Sequence, residues 1–256
     1  MQEGLCSVIV PAYNCARTLA QSVASAVGQT YSNLEILIID DASTDETWKV
    51  MQELAASDER IKVVHLEKNG GVANARNHLF SLATGSYIAF LDSDDIWYEE
   101  KLSKQIALLQ SSGCDLVYSS YSFIDGEGRA IGKTKLVPAV CSLKAILKEN
   151  YILPSTVVMR SSWVKKHTMD GSYAHEDLVF WLGLFQDGLT AVGNPEVLIQ
   201  YRIYENNRLG NKAKAAKNRW LVYRRYLGYS CVKSLWYFAH YTLNGLRKYQ
   251  GIQKQR

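Results

Sequence analysis

Four short stretches of this sequence gather residue types that bind and move charge. Pro11-Ala12-Tyr13-Asn14 offers a ring and an amide, and Asp40-Asp41 a pair of carboxylates. Asn69-Gly70-Gly71 is a turn followed by the cation Arg76, and Asp92-Ser93-Asp94-Asp95 packs three acids into four residues. Tyr13 can stack on a nucleobase, Asp40 can accept a base N–H, and Arg76 can balance the charge of a diphosphate. Three carboxylates that close repel one another and call for a counter-ion. A hard divalent cation bound through oxygen supplies it. Carboxylates alone would repel a diphosphate, so this chemistry requires a metal between the two. Plainer uses exist for single residues. Asp41 or Asp45 after a strand can be a turn or cap residue, Tyr13 can cover the rim of the core, and Arg76 can pair with a surface acid.

These stretches lie far apart in sequence, so regular elements must bring them together. Apolar runs at Leu5–Val10, Leu34–Ile39, Ile61–Leu66 and Ser86–Leu91 read as strands buried on both faces. Helical spacing fills the gaps at Ala16–Val27, Thr44–Ala55 and Gly71–Leu82, the second opened by a Ser43/Thr44 cap with Glu46 behind it. This alternation predicts an α/β, Rossmann-like, mostly parallel central sheet flanked by helices. In such a sheet ligands bind at the carboxyl ends of the strands, where all four stretches fall. Beyond Asp95 the pattern predicts a helix over Glu99–Leu109, a strand over Asp115–Ser119 and a hairpin turn at Asp125-Gly126-Glu127-Gly128. A helix at Leu143–Lys148, a strand at Thr156–Met159, a helix from His175 or Glu176 to about Gln186, and strands at Leu189–Val192 and Val197–Tyr201 complete it.

The chain of 256 residues, 47% hydrophobic and 21% charged, has the composition of a globular protein rather than a disordered one. There is no G-x-G-x-x-G after the first strand and no G-x-x-x-x-G-K-[ST] anywhere, which excludes a dinucleotide fold and a P-loop ATPase. Glu3 and the short apolar run Leu5–Val10 do not make an export signal, and no stretch is long and apolar enough to span a membrane. The five cysteines lack metal or redox spacing and read as reduced thiols, so a cytoplasmic protein is expected.

In order and spacing, Val8-Ile9-Val10-Pro11-Ala12-Tyr13-Asn14, Ile39-Asp40-Asp41-Ala42-Ser43-Thr44-Asp45, Gly71-Val72-Ala73-Asn74-Ala75-Arg76-Asn77 and Phe90-Leu91-Asp92-Ser93-Asp94-Asp95 resemble family 2 glycosyltransferases of the GT-A fold. The resemblance covers roughly residues 5 to 205. It implies a nucleotide-sugar donor, commonly a UDP-sugar, a Mn²⁺ or Mg²⁺ ion, and hexosyl transfer with inversion. Pro11, Ala12, Tyr13, Asn14 and Asp40 would hold base and ribose, with Arg76 near the diphosphate. Asp92 and Ser93 would lie by the donor, and Asp94, the second acid of the D-x-D, would be the main metal ligand. The family's base is an acid opening a later helix. His175-Glu176-Asp177 fits that pattern, with Asp177 as base and Glu176 orienting it or touching the acceptor. Where many relatives place a histidine after a Tyr-Arg pair, this chain reads Tyr201-Arg202-Ile203-Tyr204. His175 is either a ligand or acceptor contact, or a half-buried histidine.

The net charge of +4 hides two unlike regions. Residues 202–256 carry thirteen Lys and Arg against Glu205, or +12, while the first 201 residues carry −8. The expected organisation is a catalytic domain, 1–201, divided into a nucleotide-sugar half (1–95) and an acceptor half (96–201). A basic aromatic helical tail, 202–256, follows. Trp220, Tyr223, Tyr226, Tyr229, Trp236, Tyr237, Phe238 and Tyr241 mixed with arginines and lysines suit an anionic membrane surface. There the acceptor would be a glycan, such as one linked to polyprenyl diphosphate, in surface polysaccharide synthesis of the O-antigen or capsule type. The tail could instead pack on the body or make a homo-oligomer contact. Nucleic acid is not expected, since the acidic body repels phosphate. A nucleotidyltransferase, which would show a Gly-rich basic first loop, and a non-catalytic nucleotide-sugar-binding protein are the competing readings.

Overall fold

The computed structural model of the chain describes residues 2–204 and 212–250. Of the expected tail, 205–211 and 251–256 lie outside the described residues. The first half alternates as the hydrophobic pattern predicts: β1 (Gln2–Ala12), α1 (Leu19–Val27), β2 (Leu34–Asp40), α2 (Thr47–Ser57), β3 (Ile61–His65), α3 (Val72–Leu82) and β4 (Gly85–Phe90). β1 pairs in parallel with both β2 and β4, and β2 with β3. Their side chains alternate between two cores, as strand geometry requires. Val8, Val10, Ile36 and Ile38 face α1 and α4, while Ile9, Leu37, Ile39 and Phe90 face α3 and α7. Each fully buried isoleucine contributes about 1.5–3 kcal/mol of transfer free energy, which fixes the register.

The second half is mixed. After the short β5 (Ile96–Trp97) come α4 (Lys101–Ser112), β6 (Leu116–Ile124), β7 (Ala130–Lys135), α5 (Leu143–Lys148), β8 (Val158–Arg160), α6 (Ser161–Val164), α7 (Glu176–Gln186) and β9 (Ala191–Arg202). Among the described residues the sheet has nine strands in the order β3-β2-β1-β4-β8-β6-β9-β5, with β7 pairing beside β6. The hairpin turn forms between β6 and β7, where Gly128 N–H donates to the Asp125 carbonyl at 3.0 Å. The strands expected at Leu189–Val192 and Val197–Tyr201 are one strand, β9. Gly193-Asn194-Pro195-Glu196 reads as a turn, but pairing with β6 continues across it through a register shift that leaves Pro195 outside the ladder. The cap of α2 also differs. The helix begins at Thr47, and Asp45 accepts from Thr47 N–H at 3.0 Å, whereas Ser43 is drawn away to Asp40.

Past β9, α8 (Lys212–Leu221), a π-helical turn (Val222–Tyr226) and α9 (Cys231–Gln250) follow. Their inner face packs on the body. Arg219, 2% exposed, donates to the carbonyls of Ile146 and Leu147 at 2.9 Å and so satisfies the open C-terminal end of α5. Tyr223 donates to the same Leu147 carbonyl at 2.7 Å. No helix among the described residues is long and apolar enough to cross a membrane.

Candidate active site

At the end of β1 the chain turns through Asn14, at φ 48°, and presents Tyr13 at 50% exposure, free for stacking. Asn14 is pinned to the next loop. Its N–H donates to Ser43 Oγ at 2.9 Å, and its Oδ1 accepts from Thr44 N–H at 2.8 Å. At the end of β2, Asp40 is fully buried. One carboxylate oxygen accepts from the Ser43 N–H and hydroxyl, and the other meets His65 Nδ1 at 2.8 Å. Asp41 accepts from Gly70 N–H and Gly71 N–H, both at 2.8 Å, and so holds the turn that opens α3. Gly71 has φ +83°, a conformation that a side chain would strain. This first acidic pair is committed to partners within the protein.

The second acidic cluster is only partly so committed. Asp92 N–H is fixed by Ser155 Oγ at 3.0 Å, and its carboxylate accepts from Arg76 at 2.6 Å. Asp95 is fully buried with one oxygen taken by Arg202 N–H at 3.0 Å and the other without a partner among the described residues. Burial, then the neighbouring Asp92, push the Asp94 carboxyl up to about 6. Burial and the same crowding by Asp92 and Asp94 hold Asp95 well above the usual carboxylate range. Arg202, 3% exposed, ties this loop to the hairpin turn, donating to the carbonyls of Asp94 at 2.7 Å and of Asp125 and Gly126 at 3.2 Å.

Arg76 lies between this cluster and the expected base. It is 3% exposed and donates to Asp92 on one side and to Glu176 at 3.3 Å on the other, with its Nε unpartnered among the described residues. Burial disfavours its charge, but Asp92 and Glu176 overcome this and raise its pKa. Glu176 and Asp177 open α7, where the helix dipole favours negative charge. Burial and the adjacent Asp177 raise the Glu176 pKa against the pull of Arg76. Asp177 accepts from Asn150 Nδ2 at 3.2 Å. His175 points elsewhere, its Nε2 lying 3.4 Å from the Ala215 carbonyl of α8.

A cavity of about 400 Å³ lies beside the acid loop, walled by Tyr13, Asn14, Cys15, Arg17, Asp45, Ser93, Asp94 and Tyr204 among others. Four of these were expected from sequence: Tyr13, Asn14, Ser93 and Asp94. Asp40, Arg76, Asp92, Glu176 and Asp177 sit outside its wall, behind or beside it. Residues that the sequence did not single out include His65, Ser155, Asn150 and, above all, Arg202 and Tyr204. Arg202 had been counted with the tail; its place directly after an apolar strand run was the available signal.

The acid cluster fits a divalent ion only in part. Among the described residues no three His, Cys, Asp or Glu side chains are gathered as a ready-made cage. Mg²⁺-type sites, however, are commonly completed by one or two carboxylates plus substrate phosphates. The unpartnered buried oxygen of Asp95 and the crowded Asp94 are the uncompensated charge such an ion would neutralise.

The profile described as glycosyl transferase family 2 matches residues 7–174. A putative teichuronic acid biosynthesis glycosyltransferase of Bacillus subtilis is 37% identical over 95% of this chain and 97% of its own. A UDP-Glc:α-D-GlcNAc-diphosphoundecaprenol β-1,3-glucosyltransferase of Escherichia coli is 32% identical over 97% of this chain and 96% of its own. Among solved structures, a mannosyltransferase of Pyrobaculum calidifontis in complex with GDP-Man and Mn²⁺ superposes with a TM-score of 0.68 at 14% identity, covering 98% of this chain and 76% of that one, a likeness of fold. By sequence over nearly its whole length, and with a GT-A sheet to match, this chain is a glycosyltransferase and belongs to glycosyl transferase family 2.

Proposed function

We propose that the chain moves a sugar from a UDP-linked donor to a hydroxyl of a lipid-linked glycan, with inversion, in the synthesis of a cell-surface polysaccharide. The observation that carries this reading is the Arg76 bridge. It holds Glu176, and with it Asp177, against the loop of Asp92 and Asp94. Tyr13, with Pro11, Ala12, Asn14 and Asp40 around it, takes the base and ribose, and Ser93 and Asp92 lie along the ribose. Asp94 holds Mn²⁺ or Mg²⁺, which supplies charge neutralisation at the leaving diphosphate. Asp177, oriented by Asn150, takes the proton of the acceptor hydroxyl as it attacks the anomeric carbon. Glu176, bound by Arg76, positions the pair. The relatives named for UDP-Glc and diphosphoundecaprenol support donor and acceptor classes, and the Mn²⁺ complex supports the ion.

The deciding experiment is Asp177→Asn. Transfer should fall about 10²–10⁴-fold while UDP binding is retained. Unchanged turnover contradicts the base assignment, and full turnover after dialysis against chelator contradicts the metal.

The same reading puts the enzyme on the inner, anionic face of the membrane. α9 buries Ser234 and Tyr237 and leaves Val232, Leu235, Trp236 and Leu243 exposed along the other face, beside exposed Lys233. An apolar stripe bordered by cations is what an anionic interface takes. Leu235→Ser with Trp236→Ser should abolish co-sedimentation of the full chain with phosphatidylglycerol vesicles; retained binding contradicts docking through α9.

A further inference from the structure

Directly before Glu176 and Asp177 the chain runs over a second cavity, of about 160 Å³, lined by Ser172, Tyr173, Ala174, Asn218, Leu221 and Arg225. It lies between the loop that enters α7 and the junction of α8 with its π turn. Each liquid water occupies about 30 Å³, so the space holds roughly five waters' worth, the size of a phosphate-type group rather than of a disaccharide. Arg225 is exposed, and among the described residues neither its guanidinium nor the Asn218 side chain has a hydrogen-bond or ion-pair partner. Arg219 and Arg76, by contrast, are buried and bonded to groups of the protein. Lys217 and Arg224 are exposed on the same stretch of chain, which is therefore positive, although only Arg225 lines the cavity.

Asp170, two residues before Ser172 of the cavity wall, has its carboxylate occupied by the Ser172 N–H at 2.8 Å. The next acid along the chain, Glu176, is held by Arg76. Ala174 is three residues from Asp177, so their Cα atoms are at most about 11 Å apart. The cavity wall therefore lies within the span of one sugar ring and its diphosphate from Asp177, the residue assigned as base. In a sugar diphosphate the anomeric phosphate and the reacting hydroxyl are separated by that same ring.

We propose that this cavity receives the diphosphate of the acceptor, with Arg225 as its counter-charge and the Asn218 amide as a second donor. This rests on the reading of the acceptor as lipid-linked and specifies where its anionic group goes. It gives the basic segment around α8 a role in substrate selection that does not depend on a membrane. A neutral glycoside would lose this contact, whereas a phosphate-bearing acceptor would be held with its sugar toward Asp177.

The test measures binding of geranyl diphosphate to the full chain by calorimetry, without vesicles and with the donor site saturated by UDP and Mn²⁺. Wild type should bind it saturably, Arg225→Ala should weaken it tenfold or more, and Arg225→Lys should recover part of the loss. Octyl glucoside, which has no phosphate, should be indifferent to both changes. Arg225 is exposed, so its variants should melt with wild type. The inference is overturned if wild type does not bind, if Arg225→Ala binds within twofold of wild type, or if Arg225→Ala changes only retention on anionic vesicles. Because the readout is binding with the donor site filled, it is independent of whether Asp177→Asn abolishes transfer, which tests the reaction itself.

Discussion

Two acidic clusters end β2 and β4, the strands on either side of β1, and they use their charge differently. Asp40 and Asp41 are buried and fully paired, with Ser43, His65 and the Gly70 and Gly71 amides taking their oxygens. Of the second cluster Asp95 is equally buried, while Asp92 and Asp94 are half-buried; Asp95 keeps an oxygen unpartnered among the described residues, and Asp94 is pushed up to about 6 by burial and by Asp92. A buried carboxylate that is satisfied builds structure, and one that is left uncompensated stores an electrostatic cost that a ligand can relieve. The first cluster thus shapes the loops at the strand ends, and the second is the one proposed to take a cation and a diphosphate.

The largest expected effect separates the two directly. Asp94→Asn should lower transfer about a thousandfold, near 4 kcal/mol of transition-state stabilisation, while the melting temperature does not fall. Initial rates and calorimetry on the same preparation check both halves; a large loss of stability would move Asp94 into the structural class. Arg76→Met should cost about 3 kcal/mol of folding stability in denaturant titration, because Asp92 and Glu176 would be left half-buried without their cation. Asp41→Ala should cost about 2 kcal/mol by leaving the Gly70 and Gly71 amides unsatisfied, and wild-type stability there would contradict the role given to the first pair.

The smallest effect tests whether unspent charge alone marks a site. Lys101 is fully buried, has no hydrogen-bond partner for its Nζ among the described residues, and lies 4.0 Å over the Trp97 ring. It belongs to neither cluster. Burial lowers its pKa to about 7, so between pH 7 and 9 the unfolded chain holds a proton that the folded chain has given up, and stability rises with pH. Lys101→Met should therefore stabilise the fold by roughly 1 kcal/mol at pH 6 after repacking, with transfer unchanged. That advantage should shrink as pH rises to 9. A melting difference constant over that range would show that the lysine stays charged in the folded protein.

What the sequence made legible follows the same division. The parallel half was readable because β1, β2 and β4 are buried on both faces and their apolar runs are nearly continuous. The loops at their ends carry the motifs, so Tyr13, Asp40 and Asp92 could be placed from pattern alone. Partners from distant segments could not be read. The Arg76 bridge to Glu176 spans 100 residues, and Asn150 reaches Asp177 from a segment with no signature. β9 was split because Asn194-Pro195 carries turn chemistry locally, while pairing with β6 overrides it. The tail's composition was clear, but not that Arg219 and Tyr223 are used to cap α5 and so are unavailable to a membrane.

The most direct measurement is the affinity of UDP for the full chain by titration calorimetry, with and without Mn²⁺, in wild type, Asp94→Asn and Asp41→Asn. The account predicts that Mn²⁺ tightens UDP binding at least tenfold in wild type and in Asp41→Asn, and not in Asp94→Asn. Equal tightening in Asp94→Asn, or none in wild type, would contradict the claim that the uncompensated acid cluster is where a metal meets the donor's diphosphate.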